Sequence, residues 1–396
     1  MNDAFVIIHI LGAVQGVFLA AILISRRRGS VANGILAVTM LAFALDLATA
    51  VYHATGFDAA FPHLIGFDYP LAFLYGPLLY LYARTLSHRE RKFSRRYLWH
   101  FAPFALLVLF LVPFYLQTGS EKLAFARGNG SDLWTQTLGT INHFKLVHAF
   151  VYIGMILSLL KRHRHRIRDT YSSTERINLT WLRNLMIGII ALTAVAVVLY
   201  LLTLGNEGPV MGLDPSTVYD DYMLLCLALL VYAVGFMGLR QPEVFDGRHH
   251  HRDEPEPISS PAAADGKPQY ARSGMDPESA NRYKLELLEL METEKLYRSG
   301  DLTLQDLSDA LSISAHNLTE VINTQLGHNF YDFVNGYRVR DVQERLADPQ
   351  FDHLTLLAIA MESGFNSKST FNAIFKKHVK MTPSEFRSRV RKVTSS

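Results

Sequence analysis

Leu356-Leu357-Ala358-Ile359-Ala360-Met361-Glu362-Ser363-Gly364-Phe365-Asn366-Ser367-Lys368-Ser369-Thr370-Phe371-Asn372-Ala373-Ile374-Phe375-Lys376-Lys377 decides how the C-terminal part folds. Leu356, Ile359 and Ala360 recur at helical spacing, the run stops at Gly364-Phe365-Asn366, and a second helix is predicted from Ser367 to Val379. Gly364 suits a turn that needs positive φ, and Ala360 suits close contact between helices. The second helix turns Lys368, Ser369, Asn372, Lys376 and Lys377 outward.

The same pattern occurs once more upstream. Thr303-Leu304-Gln305-Asp306 is a helix start of the capping-box kind. Leu304, Leu307 and Leu311 then line one face, and Ser312-Ile313-Ser314 interrupts it. A short helix follows with Leu318, Val321 and Ile322 inward and His316, Asn317, Thr319, Glu320 and Asn323 outward. A long helix at about 330–347 joins the two units, and Thr382-Pro383-Ser384-Glu385 opens a closing helix. One such helical hairpin is weak evidence, because hairpins fill ordinary bundles. Two of them on a shared helix are the shape that lays recognition helices in successive major-groove turns, about 34 Å apart.

Between residues 280 and 396 the charges balance at 15 basic and 15 acidic, which excludes a general polyanion binder. Positive charge gathers late: Lys368, Lys376, Lys377, Lys380, Arg387, Arg389, Arg391 and Lys392 stand against Glu385 alone. The second unit is therefore expected to anchor on phosphates and the first to contribute weakly. A merely solvated face is the competing reading.

Upstream, apolar periodicity disappears from Asp246 to about Asp276, where Pro255, Pro257, Pro261 and Pro268 mark a flexible tether. His249-His250-His251 in it could hold a divalent metal or be plain linker. No further ligands sit at defined spacing, and no metal is assigned.

The first 240 residues are a different kind of chain. They carry 20 Lys/Arg and 13 Asp/Glu, against 19 and 23 in the remainder of the 396 residues. A span needs about 20 mostly apolar residues, and seven segments qualify or nearly so: roughly 4–25, 33–52, 68–83, 98–116, 141–160, 182–204 and 221–239. The first has no positive charge before it and Arg26-Arg27-Arg28 after it, so it is read as a span rather than a signal peptide. Arg84, Arg89, Arg91, Lys92, Arg95 and Arg96 fill one alternate loop, and Lys161, Arg162, Arg164, Arg166, Arg168 and Arg176 another. The opposite loops hold only Lys122 and Arg127. The positive-inside rule then places the N-terminus outside and everything after Arg240 in the cytoplasm. Pro70, Pro77 and Pro103 are expected to kink their helices.

Ionisable groups within spans hint at function. Asp46 is the clearest, and His9, His143, Lys145 and His148 lie at similar depth near outer ends. Together they would make a polar, outward-facing pocket for a small ligand, or a proton-sensitive switch. A satisfied hydrogen bond between helices is the alternative.

No catalytic constellation, phosphate-cradling loop or cofactor motif stands out, so an enzyme is not expected. The single cysteine, Cys226, excludes a disulfide framework and a cysteine zinc site.

Leu356-x-x-Ile359-Ala360-x-x-x-Gly364-Phe365-Asn366-Ser367-Lys368-Ser369-Thr370-Phe371-x-x-x-Phe375-Lys376-Lys377 with Thr382-Pro383-Ser384-Glu385-Phe386-Arg387 resembles the DNA-binding domain of the AraC family of bacterial transcription regulators. Gly76-Pro77-Leu78-Leu79-Tyr80-Leu81-Tyr82, Trp99-His100-Phe101-Ala102-Pro103-Phe104 and Arg240-Gln241-Pro242-Glu243-Val244-Phe245 resemble the branch with an N-terminal seven-helix membrane module. The resemblance implies an all-α chain: a seven-transmembrane-helix sensor over 1–245, a linker over 246–278 and a cytoplasmic domain of two helix-turn-helix units over 279–396. It places base-reading positions on His316, Thr319 and Glu320, and on Lys368, Ser369, Asn372 and Ala373. Many members have Arg where this chain has Glu320 and Ala373. Glu320 can accept from cytosine N4 and Ala373 can offer only a methyl contact, so the family's base preference does not transfer. The implied partners are double-stranded DNA, the lipid bilayer of the bacterial cytoplasmic (inner) membrane, an unknown small-molecule signal and a second protomer. A transporter or membrane enzyme with a helical regulatory tail is the rival from another class.

Overall fold

A computed structural model of the chain describes residues 3–25, 30–88, 93–129, 132–174, 177–203, 215–240 and 275–394. Among them every regular element is helical, with one isolated bridge between Tyr171 and Thr303. Arg26-Arg27-Arg28, residues 204–214 and residues 246–274, His249-His250-His251 included, lie outside the described residues. The chain divides into two compact units: Met1–Lys161 with Thr180–His250, and Arg162–Leu179 with His251–Ser396.

In the first unit, α1 (Asp3–Ser25) and α2 (Val31–Ala54) are almost uninterrupted apolar runs. Ser30 caps α2 by accepting from the Asn33 N–H at 3.2 Å. The two helices lie close because Gly16 has no side chain; a Cβ there would stand 3.0 Å from that of Ala44. They are followed by α3 (Ala72–His88), α4 (Ala102–Phe110), α5 (Asp132–Thr170), α6 (Thr180–Thr203) and α7 (Pro215–Arg240). Met40, Phe43, Leu47, Leu81, Ala228 and Val231 form the core.

Helices occupy all seven apolar segments, with one departure. Segment 98–116 is a 3-10 stretch (Arg95–Phe101), α4 and a separate turn of helix (Val112–Tyr115). Pro113 lacks an N–H and crowds the carbonyl four residues back, so α4 stops at Phe110. Pro103 does not kink a helix as expected; it sits in the first turn of α4, where a missing N–H costs nothing. Pro77 does lie inside α3. Three helices are long and apolar enough to cross a membrane among the described residues: Phe5–Ser25, Val31–Ala54 and Leu133–Thr170.

The second unit is built on α11. In order come α8 (Pro277–Thr293), α9 (Leu304–Ala310), α10 (Ala315–Glu320), α11 (Phe330–Ala347), α12 (Leu356–Glu362), α13 (Lys368–Val379) and α14 (Pro383–Thr394). The first half of α11 gives Phe330, Phe333, Val334 and Tyr337 to a core with Leu287, Leu307, Leu318 and Ile322. Its second half gives Val339, Val342 and Leu346 to a core with Ile359, Phe365, Phe371 and Phe375. One helix thus carries both helix-turn-helix units.

Candidate nucleic-acid interface

Local chemistry positions each recognition helix. The Thr303 hydroxyl accepts from the Asp306 N–H at 3.2 Å and the Asp306 carboxylate accepts from the Thr303 N–H at 2.8 Å, which starts α9. Ser314 caps α10 through the Asn317 N–H at 3.1 Å. Leu318 is buried, His316 is exposed, and Asn317, Thr319 and Glu320 are half-buried. The Thr319 hydroxyl donates to the Ala315 carbonyl at 2.8 Å, so what it can offer outward is an acceptor oxygen. After Glu320 the backbone widens into a π turn, Val321–Gln325, so Asn323 sits beyond the regular face of α10.

In the second unit Thr355 caps α12 and Ser367 caps α13, accepting from the Ala358 and Thr370 N–H groups at 3.1 and 3.2 Å. Between them Gly364 takes φ +96. On α13 Phe371, Ile374 and Phe375 are buried, while Lys368, Ser369, Asn372, Lys376 and Lys377 are all exposed, as is Ala373.

The late positive cluster is less free than its sequence suggests. Lys377 Nζ lies 2.8 Å from Asp332 on α11. Arg391 Nη2 lies 2.6 Å from Asp352, and Arg387 donates to the Leu354 and Asp352 carbonyls. Burial works to raise the Asp332 pKa, but the Lys377 ammonium and Arg168 guanidinium outweigh it and hold the carboxyl below its usual range. Glu385 is therefore not the one acid beside this cluster. Asp332 and Asp352, 45 and 39 residues away in sequence, join it through the fold. Lys368, Lys376, Lys380 and Arg389 remain exposed cations.

Sequence reasoning passed over a buried polar seam on α11. Asn335, Arg338 and Asp341 are 1%, 1% and 3% exposed. Asp341 accepts from Arg298 Nη2 and the Ser363 hydroxyl, both at 2.6 Å, and from the Tyr297 hydroxyl at 3.3 Å. Their signal was present: polar residues interrupt an apolar stripe running through Val334, Val339 and Val342.

The five candidate sensing residues do not gather in one place. Asp46 and Lys145 line a cavity of about 1130 Å³ inside the first unit, with His53, Asp68, Tyr75 and Tyr152. The Tyr75 hydroxyl donates to Asp46, and Lys145 Nζ lies 5.8 Å from the Tyr69 ring centroid. One Asp68 carboxylate oxygen is buried with no hydrogen-bond partner among the described residues. His143 is bonded to the Gly139 carbonyl of its own helix at 2.9 Å, the His148 ring lies tilted against those of Phe73 and Tyr152, and His9 is buried beside Phe5.

A family profile described as helix-turn-helix domain matches residues 307–389. The probable transcription factor PqrA of Proteus vulgaris is 28% identical over 102 residues, covering 26% of this chain and 80% of that protein. An uncharacterized HTH-type transcriptional regulator of Staphylococcus aureus (strain COL) is 29% identical over 93 residues, 24% of this chain. The match spans only 12% of the length of that relative. A solved structure of a protein of unknown function from Listeria innocua is 27% identical over 26% of this chain and 93% of its own, with a TM-score of 0.23, too low to bear on the fold. Residues 307–389 of this chain therefore match a helix-turn-helix domain, over the stretch where α9 to α14 are packed on α11.

Proposed function

We propose that this chain is a membrane-bound, sequence-specific DNA-binding transcription regulator that couples an external or membrane signal to gene expression. The observation that carries the reading is the pair of capped recognition helices on one linking helix, with His316, Lys368, Ser369 and Asn372 open to solvent. Lys376 and Lys377 stand on the same helix to meet phosphate, and Asn317, Thr319, Glu320 and Asn323 complete the first contact set.

The membrane part of the proposal rests on surface chemistry. Val14 and Phe18 are each 63% exposed, and Leu106 and Leu109 are 66% and 67% exposed. Large apolar side chains this exposed suit a hydrocarbon environment better than water. Seven spans, with the basic loops and the DNA-binding unit on the cytoplasmic side, belong to the same reading. The cavity with Asp46 and Lys145 is the proposed signal site; its apolar walls and its acidic and basic side chains suit a small amphipathic molecule. Two protomers would fit adjacent half-sites, and crosslinking that yields only monomers, with and without DNA, would remove that element.

Genome-wide DNA occupancy of the tagged full chain, recovered with the membrane fraction, tests the reading. Discrete peaks are expected, and Lys368→Ala with Asn372→Ala should lower them ten-fold or more, since each lost base or phosphate contact costs about 1–3 kcal/mol. Peaks that survive the double substitution, or none in any growth condition, would move the weight to a transporter with a helical tail. Asp46→Asn should leave the protein in the membrane while flattening the response of occupancy to growth condition; an unchanged response would remove the cavity from the signal path.

A further inference from the structure

The last turns of α5 from Arg162 onward, and the residues that follow it before α6, fall in the same compact unit as the helix-turn-helix domain. Tyr171 forms an antiparallel bridge with Thr303, the N-cap of α9. The Ser172 N–H donates to the Leu302 carbonyl at 3.2 Å, and its hydroxyl donates to the same oxygen at 2.6 Å.

Arg338 is the receiving group. Its Nε donates to the Tyr297 carbonyl at 2.8 Å, and its Nη2 to the Ser299 carbonyl at 2.7 Å and the Ser172 hydroxyl at 3.0 Å. Its Nη1 donates to the Ser172 carbonyl at 3.2 Å and to Asn335 Oδ1 at 3.3 Å. A guanidinium has five N–H donors, and here five acceptors meet them, two supplied by Ser172. Asn335 donates to the Ser172 carbonyl as well, at 3.1 Å. Ser172, Asn335 and Arg338 are each 1% exposed, so without the segment a buried charge would lose two of its acceptors. Arg168 extends the contact: it lies 5.0 Å from the Tyr331 ring centroid and 3.9 Å from Asp332, the carboxylate that also holds Lys377 of α13.

We propose that residues 171–174 are an internal docking segment for the helix-turn-helix unit, seated on Arg338, and that this segment holds the unit ready for DNA. The segment braces the loop before α9 against α11, the helix that both recognition helices pack on. It leaves His316, Lys368, Ser369 and Asn372 exposed while docked. Docking therefore supports DNA binding, and undocking lowers it. The occupancy arm rests on the DNA-binding reading above; the docking arm does not.

The test uses the full chain in native membranes with Cys226→Ala. Tyr171→Cys with Thr303→Cys should form a disulfide under mild oxidant, seen by mass spectrometry as the joined peptides, and at least ten-fold more than Tyr171→Cys with Ser384→Cys. Ser172→Pro, which removes the N–H and the hydroxyl, should lower DNA occupancy at least ten-fold at unchanged protein level. Adding the 171–303 disulfide to Ser172→Ala should restore the occupancy that the alanine alone loses. A crosslink no stronger than the control overturns docking. Occupancy that is unchanged or raised by Ser172→Pro overturns the bracing role. A normal crosslink with no occupancy even in the unmodified chain would instead sink the DNA-binding reading and leave docking standing.

Discussion

Replacing Gly364 by alanine should destabilise the second helix-turn-helix unit by about 2–5 kcal/mol, among the largest effects open to a single methyl group. Two costs combine. At φ +96 an L-residue pays roughly 1–2 kcal/mol in backbone strain. The added Cβ would also stand 2.3 Å from the Tyr297 carbonyl and 2.9 Å from Arg338 Nε, the two atoms that bond each other at 2.8 Å. Those atoms cannot part without breaking a buried charge-assisted hydrogen bond, and forced overpacking adds about 1–3 kcal/mol. Gly327 is the control: its φ is +69 and nothing lies within 4 Å of a built Cβ, so alanine there should cost only the strain, about 1 kcal/mol. Hydrogen exchange of α13 amides in the full chain measures both. Gly364→Ala should speed it by about a hundred-fold and Gly327→Ala by less than ten-fold, at a factor of ten per ~1.4 kcal/mol. Equal effects would show that the contact with Tyr297 and Arg338 carries no weight.

The turn at Gly364 was legible because its causes are local. So were the caps: Thr303 with Asp306, and Thr382 with Glu385, whose carboxylate accepts from the Thr382 N–H at 2.7 Å. Spacings of three and four made the buried face Phe371, Ile374, Phe375 and the exposed face Lys368, Asn372, Lys376 readable together. What stayed hidden depends on partners distant in sequence. Nothing near Ser172 announces that it meets Arg338, 166 residues later. The same holds for Asp332 and Asp352, which turn an apparently free basic cluster into a partly paired one.

Helix α5 shows a different kind of miss. Apolar content alone marks 141–160, but charged residues are good helix formers, and the helix runs on through Lys161 and Arg168 to Thr170. Its 39 residues extend roughly 58 Å at ~1.5 Å per residue, about twice a hydrocarbon core of ~30 Å. In the first unit, position along a helix was readable but rotation about the helix axis was not. Asp46 and Lys145 turn toward one cavity, whereas the His143 imidazole turns back to its own backbone.

Asp341→Asn should cost the second unit about 2–3 kcal/mol, the penalty for removing a buried charge whose partners Arg298 and Arg345 are partly screened by solvent. Asp341 is 3% exposed, with Arg298 Nη2 at 2.6 Å, Arg345 Nε at 3.1 Å and the Ser363 hydroxyl at 2.6 Å. Asparagine keeps the shape but offers one acceptor where two oxygens now serve, and turns an amide donor toward a guanidinium. The same residue sets a pH dependence whose sign follows from its shift. Burial pushes the Asp341 pKa up, but hydrogen bonds from Arg298 and Ser363 and the charge of Arg345 outweigh it, so the folded pKa lies below the ordinary value. In the unfolded chain an aspartate titrates near ~3.9. The folded state therefore binds the proton more weakly, and the stabilisation is fully present above about pH 4 and lost as pH falls through the folded pKa. Opening free energies of α11 from hydrogen exchange, corrected for intrinsic rates, should fall as pH drops below about 4 in the native chain. In Asp341→Asn they should start lower and fall less, with Asp332 supplying part of the remaining slope because its pKa is depressed as well. Parallel curves would mean that the buried carboxylate of Asp341 is not what ties Arg298, Arg345 and Ser363 together.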